Sequence, residues 1–146
     1  MAAHVDVEVD PALELPISAD ELERAMLHVL SAEGVGEAEV SLAIVDDAEI
    51  ARLNQEYLSH EGPTDVISFP LENPAGLLVG DIYVGGEQAR RQAEEAGEEL
   101  RVELLRLAIH GTLHVLGHEH PEEDEQRAAS PMYLRQEALL RRFLDA

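Results

Sequence analysis

The sequence predicts an α+β fold: one domain over residues 1–146, with a mixed sheet of about four strands and about five helices. Three observations carry that expectation. The chain of 146 residues is long enough to enclose one core and short for two. Apolar residues make up 45% of it, the share of a globular protein rather than a disordered one. Stretches that alternate with period two are interleaved with stretches of helical period, with no repeat, low-complexity tract or linker between them.

The elements follow in order. Val5, Val7 and Val9 alternate with Asp6, Glu8 and Asp10 as in a half-buried strand, which Pro11 and Pro16 close. Ser18 with Glu21 reads as a capping box for a helix over about 19–31, with Leu22, Met26, Val29 and Leu30 on its apolar face. Gly34 and Gly36 break the chain, and Val40, Leu42 and Ile44 form a second alternating strand. Asp46 with Glu49 repeats the capping pattern and starts a helix that runs to Tyr57. Gly62, Pro63, Pro70 and Pro74 then leave room only for a short strand, Asp65–Phe69. LLVGDIYV is a further strand and GEQARRQAEEAG a further helix. From Glu98 to Leu116 the period is helical, and Leu104, Leu105, Ala108, Ile109 and Leu113 make a central, mostly buried helix. Pro121 is expected to open the last helix, which packs Met132, Leu139, Leu140 and Phe143 on the core.

Charge and composition exclude several classes of function. The chain has no cysteine, hence no disulfide framework, cysteine zinc finger or cysteine nucleophile. Thirty-one acidic residues face ten arginines and no lysine, a formal charge of −21 whose average field repels nucleic acid and anionic membranes. A nucleic-acid partner therefore needs a local counter-charge. The first ten residues lack the basic and apolar regions of a signal peptide, and no apolar run reaches the roughly 20 residues that span a bilayer. The expectation is a cytoplasmic protein with no membrane partner.

Four of the seven histidines fall in one eleven-residue window, HGTLHVLGHEH. His110 and His114 stand four apart on a predicted helix, hence on one face with Cβ atoms about 5–6 Å apart. Two imidazoles so placed can close on one ion at about 2.0–2.1 Å. Gly117 suits the left-handed position that ends a helix, so the chain can turn and return His120 to the same ion. Three protein ligands leave a fourth position for water, as in a catalytic zinc site, where the metal lowers that water's pKa toward about 7. Zinc, one per chain, is the expected ion, although histidine also suits nickel, copper and iron. His118 is open between a group supporting a ligand, an alternative ligand and an exposed side chain, with exposure the default. The same spacing fits the metzincin protease frame, but there the residue after the first histidine is a glutamate general base, and here it is Gly111. Without that carboxylate, peptide hydrolysis forfeits about 10²–10⁴ in rate.

The stretch HGTLHVLGHEH resembles the H-G-x-L-H-L-x-G-Y-D-H signature of the YbeY family of metal-dependent endoribonucleases, which are ribosomal-RNA maturation factors. Pro63-Thr64-Asp65-Val66-Ile67-Ser68-Phe69-Pro70 is similar to that family's PTDVLSFP segment, Gly80-Asp81-Ile82 to its GDI strand, and Leu53-Asn54 through Tyr57 to its L-N-x-x-Y stretch. The matches keep the family's order and cover roughly residues 40–137.

The resemblance implies a zincin-like α+β domain with zinc on His110, His114 and His120. It implies cleavage of single-stranded RNA in small-subunit ribosomal RNA maturation and ribosome quality control, with the ribosome or ribosome-associated proteins as partners. Thr64, Asp65 and Ser68 would line the cleft as substrate contacts; turn-making and strand-capping are their alternative roles. No catalytic acid or base is assigned. Three positions depart from the family pattern: Leu58 stands where the family has an arginine, His118 replaces its tyrosine and Glu119 its aspartate. A phosphate contact absent at position 58 would be worth about 1.5–3 kcal/mol. Leu58 and the acidic charge favour a second reading, a metal-stabilised ribosome-assembly factor with little or no nuclease activity. A metzincin-like metalloprotease is the third.

Overall fold

The computed structural model describes residues 3–71, 77–118 and 130–146. Among them it places four strands, β1 (Ala3–Val9), β2 (Ala38–Val45), β3 (Val66–Leu71) and β4 (Leu78–Gly85), and five helices. The helices are α1 (Ala19–Ala32), α2 (Asp47–Leu58), α3 (Gly86–Ala96), α4 (Leu100–Val115) and α5 (Pro131–Asp145). The α+β class and the mixed sheet are as the sequence predicts. The expected opening of the last helix at Pro121 lies outside the described residues; α5 starts at Pro131, capped by Ser130.

The strands lie in the order β1-β2-β4-β3, with β1, β2 and β4 parallel and β3 antiparallel to β4 at one edge. Both capping serine and aspartate residues act as expected, Ser18 accepting from the Glu21 N–H and Asp46 from the Glu49 N–H. The glutamates of both boxes bind arginines instead: Glu21 pairs with Arg101 of α4, and Glu49 with Arg52. Strand β3 runs two residues further than predicted, through Pro70 to Leu71. An edge strand permits this, because a proline whose nitrogen faces away from the sheet removes no ladder hydrogen bond.

The strands alternate between two faces; β3 and β4 meet an apolar layer on both, whereas β1 turns Asp6 and Glu8 to solvent. On one face Val40, Leu42, Ile44, Ile82 and Val84 pack with α1, α3, α4 and α5 into the main core. On the other, α2 covers β3 and β4 with Ile50 and Leu53 against Ile67, Phe69 and Tyr83. Helix α4 is buried on most of its circumference, and Leu104, Leu105, Ala108, Ile109 and Leu113 are fully buried. Each leucine so buried contributes about 1.5–3 kcal/mol. Two glycines bring α4 close to the sheet. A Cβ on Gly111 would lie 2.6 Å from Ile82 Cγ2, and one on Gly80 would lie 2.5 Å from Val115 Cγ1.

Candidate functional site

The close crossing of α4 over β4 and β3 positions the histidine pair. His110 and His114 are half-buried on one side of the last two turns of α4. Ser68, which points from β3 toward α4, sets its Oγ 2.5 Å from His114 Nδ1. On the other flank, Gln136 of α5 sets its Oε1 2.7 Å from His110 Nδ1. One turn beyond His114 the helix ends in a Schellman motif: Gly117 has φ of 101°, its N–H donates to His114 O, and the His118 N–H donates to Leu113 O. Gly117 is thus the stop that the sequence predicts. The carbonyl end of α4 carries partial negative charge, which favours a cation beside His114.

This donor set fits a metal ion. Ligating histidines characteristically give one ring nitrogen to a neighbouring oxygen and the other to the metal. Here Nδ1 of each histidine meets a side-chain oxygen, so Nε2 would be the ligating atom on both. The third predicted ligand, His120, and the neighbouring Glu119 lie outside the described residues. His118 differs from the default expectation of exposure. It is half-buried, with Nε2 2.6 Å from Glu33 Oε1, and Glu33 also accepts from Arg135 Nε at 3.0 Å. A short helix end folded against α1 and α5 holds that ring in place.

Gly111 occupies the position at which a metzincin carries its general base. Its backbone lies against Ile82, so a glutamate there would collide with the strand beneath. The helix thus approaches the sheet at the point where the protease needs a carboxylate.

Of the residues predicted to line the cleft, Ser68 is brought to the histidine pair. Thr64 and Asp65 sit just before β3, with Asp65 three residues, or about 10 Å of strand, from Ser68. Asp65 accepts from the Val66 N–H at 2.8 Å and from Gln92 Nε2 at 3.2 Å, which ties the start of β3 to α3. Thr64 Oγ1 lies 3.5 Å from the same carboxylate, and its carbonyl fills the space left by the missing side chain of Gly85. Asn54, of the L-N-x-x-Y stretch, is buried and donates to Gly62 O at 3.0 Å, which fastens the α2–β3 connection.

Leu58 is exposed at the end of α2. Several arginines are engaged within the fold. Arg52 pairs with Glu49 and Glu56, Arg91 with Asp47, Arg101 with Glu21, and Arg90 donates to Leu13 O. Arg106, the most enclosed of them, binds Glu98, Glu103 and Glu137. Hydrogen bonding to Arg106 holds Glu98 below the usual glutamate range, whereas burial pushes Glu103 above it.

The sequence reading did not single out Gln136. Its signal is a polar residue on an apolar helix stripe, between Met132 and the Leu139–Leu140 pair, all buried.

Fold and site together define a class: an α+β domain in which a buried helix presents two histidines, four residues apart, beside an antiparallel edge strand. A sequence profile of the family described as Endoribonuclease YbeY matches residues 11–144. A protein of Moorella thermoacetica named Endoribonuclease YbeY is 47% identical over 131 residues, 82% of each chain. One of the same name from Roseiflexus castenholzii is 36% identical over 145 residues, 93% of this chain and 90% of that one. The solution structure of TM1509 from Thermotoga maritima superposes with a TM-score of 0.66 at 27% identity, covering 97% of this chain and 89% of the other. The chain belongs to the Endoribonuclease YbeY family.

Proposed function

We propose that this protein is a zinc-dependent endoribonuclease specific for single-stranded RNA, acting in small-subunit ribosomal RNA maturation and in ribosome quality control. It would work in the cytoplasm, with the ribosome or ribosome-associated proteins as partners and no membrane. None of the described helices is long and apolar enough to cross a membrane. The observation that carries the reading is the His110–His114 pair, each Nδ1 set against a side-chain oxygen, in a chain whose relatives are named endoribonucleases.

His110, His114 and His120 are the proposed ligands of one Zn2+ per chain. When bound, zinc supplies Lewis acidity toward water and phosphoryl oxygens. Ser68 and Gln136 orient the two described ligand rings. Ser68 can also meet substrate, since a hydroxyl both donates and accepts; Thr64 and Asp65 would shape the approach along β3.

The test is cleavage of a single-stranded ribosomal RNA fragment by the wild type, with His114→Ala purified in parallel and zinc counted in both by elemental analysis. The reading requires cutting and one zinc per chain in the wild type, with both lost in the variant. Equal cutting by the two proteins would expose a contaminant. If neither cuts while the wild type carries zinc, the assembly-factor reading replaces this one; its support is Leu58, exposed where the family has an arginine.

A further inference from the structure

We propose that Gln136 is a positioning residue that holds His110 in its Nδ1–H tautomer, and that Arg106 holds Gln136 in place through Glu137. Its consequence for metal binding rests on the zinc reading above, but the tautomer itself does not.

A glutamine amide can present either oxygen or nitrogen to a neighbour, and its surroundings decide which. Gln136 Nε2 lies 3.0 Å from Glu137 Oε2. An ionised carboxylate only accepts, so the amide N–H points to Glu137 and Oε1 faces His110 at 2.7 Å. With an acceptor opposite it, Nδ1 of His110 must carry the proton, and the lone pair lies on Nε2, on the side turned from α5. A neutral histidine side chain free in water prefers the other tautomer, so the bond imposes a choice.

Glu137 is in turn gripped by Arg106 of α4 on two prongs, Nε to Oε2 at 2.9 Å and a terminal nitrogen to Oε1 at 3.2 Å. Glu98 and Glu103 take the remaining N–H groups of Arg106, so the guanidinium is fixed from both ends of the α3–α4 corner. The chain of contacts therefore runs from Glu98 and Glu103, through Arg106, Glu137 and Gln136, to the ring of His110. Packing alone does not call for it. Met132, Leu139 and Leu140 already fill the α4–α5 seam, and a buried amide there is tolerated only because each of its ends is bonded.

The experiment is a long-range 1H–15N correlation on the full chain at pH 8, before and after addition of Zn2+. The His110 signals are identified by their loss in His110→Asn. The metal-free wild type should show the Nδ1–H pattern; Gln136→Met should switch to Nε2–H, and Gln136→Glu should restore Nδ1–H. Glu137→Ala, which releases Arg106 without emptying the core, should populate both tautomers. In parallel, competition with a chromophoric chelator should show Zn2+ bound about 10–100-fold more weakly by Gln136→Met. An Nε2–H pattern in the wild type, or an unchanged pattern in Gln136→Met, overturns the role of Gln136. Wild-type behaviour of Glu137→Ala overturns that of Arg106. A tautomer switch without loss of zinc affinity would show that the bond positions nothing for the metal. If wild type and His114→Ala bind Zn2+ equally poorly, the zinc reading fails while the tautomer result stands.

Discussion

Gly111 rests on Ile82 so closely that its missing Cβ would lie 2.6 Å from Ile82 Cγ2. The residue beside the first histidine of the pair is therefore set by how near the helix comes to the sheet, and that nearness brings His114 within reach of Ser68 across the α4–β3 contact. Helix propensity alone would favour alanine at 111 by about 1 kcal/mol. Displacing Ile82 costs about 1–3 kcal/mol, so the clash should win. Gly111→Ala is expected to lower stability in urea unfolding. The loss should shrink in an Ile82→Leu background, where the offending Cγ2 methyl is gone; an equal loss in both backgrounds would place the strain elsewhere.

Ser68→Ala removes the hydroxyl from His114 Nδ1 and little else, since Ser68 is half-buried on an edge strand. Zinc affinity should fall about 10–100-fold, with the unfolding midpoint of the metal-free protein nearly unchanged. Chelator competition and thermal unfolding read the two quantities separately. Ser68→Thr, which keeps the hydroxyl, should retain most of the affinity.

Glu21 gives a pH signature. Its hydrogen bond to Arg101 holds its folded-state pKa below the ordinary 4.5. A depressed carboxylate contributes stability that is complete above the unfolded pKa and is lost as pH falls through the folded one. Glu21→Gln should therefore cost about 0.5–1 kcal/mol at pH 7, and the gap to the wild type should close below pH 4.5. Unfolding curves at pH 7 and at about pH 2.5 make the comparison; a gap that persists in acid would mean that the pair adds nothing through charge.

Leu58→Arg restores a cation at an exposed site on a chain of charge −21. Binding of a single-stranded RNA should tighten, and the slope of log K against log salt should steepen by about 0.7 for one added phosphate contact. Fluorescence anisotropy across a salt series measures both. Tighter binding with no change of slope would point to packing by the arginine stem rather than a phosphate contact.

Much of this architecture was legible because its signals are local. Period-two valines, the Ser18 and Asp46 caps, the apolar circumference of α4 and the glycine stop at 117 each act within a few residues. The partners of the site residues were not legible, because they come from far along the chain: Ser68 meets His114 across 46 positions and Gln136 meets His110 across 26. Nothing near Glu21 says that its carboxylate leaves the capping box for Arg101, 80 residues on. His118 read as exposed for the same reason, since Glu33 lies 85 positions away. Pro70 misled in another way: a proline ends a strand only if its nitrogen must bond, and the sequence does not tell which strand is at the edge.

That edge has a consequence for how the protein meets copies of itself. Among the described residues, strand β3 pairs with β4 on one side and with no strand on the other. Open strand edges invite a second chain to add by backbone pairing, the route to aggregates. Since Pro70 has no N–H to offer, the row of donors along this rim is interrupted two residues from Ser68. A neighbouring chain attempting to extend the sheet would find a gap beside the histidine pair, so the strand that carries Ser68 is a poor template for polymerisation.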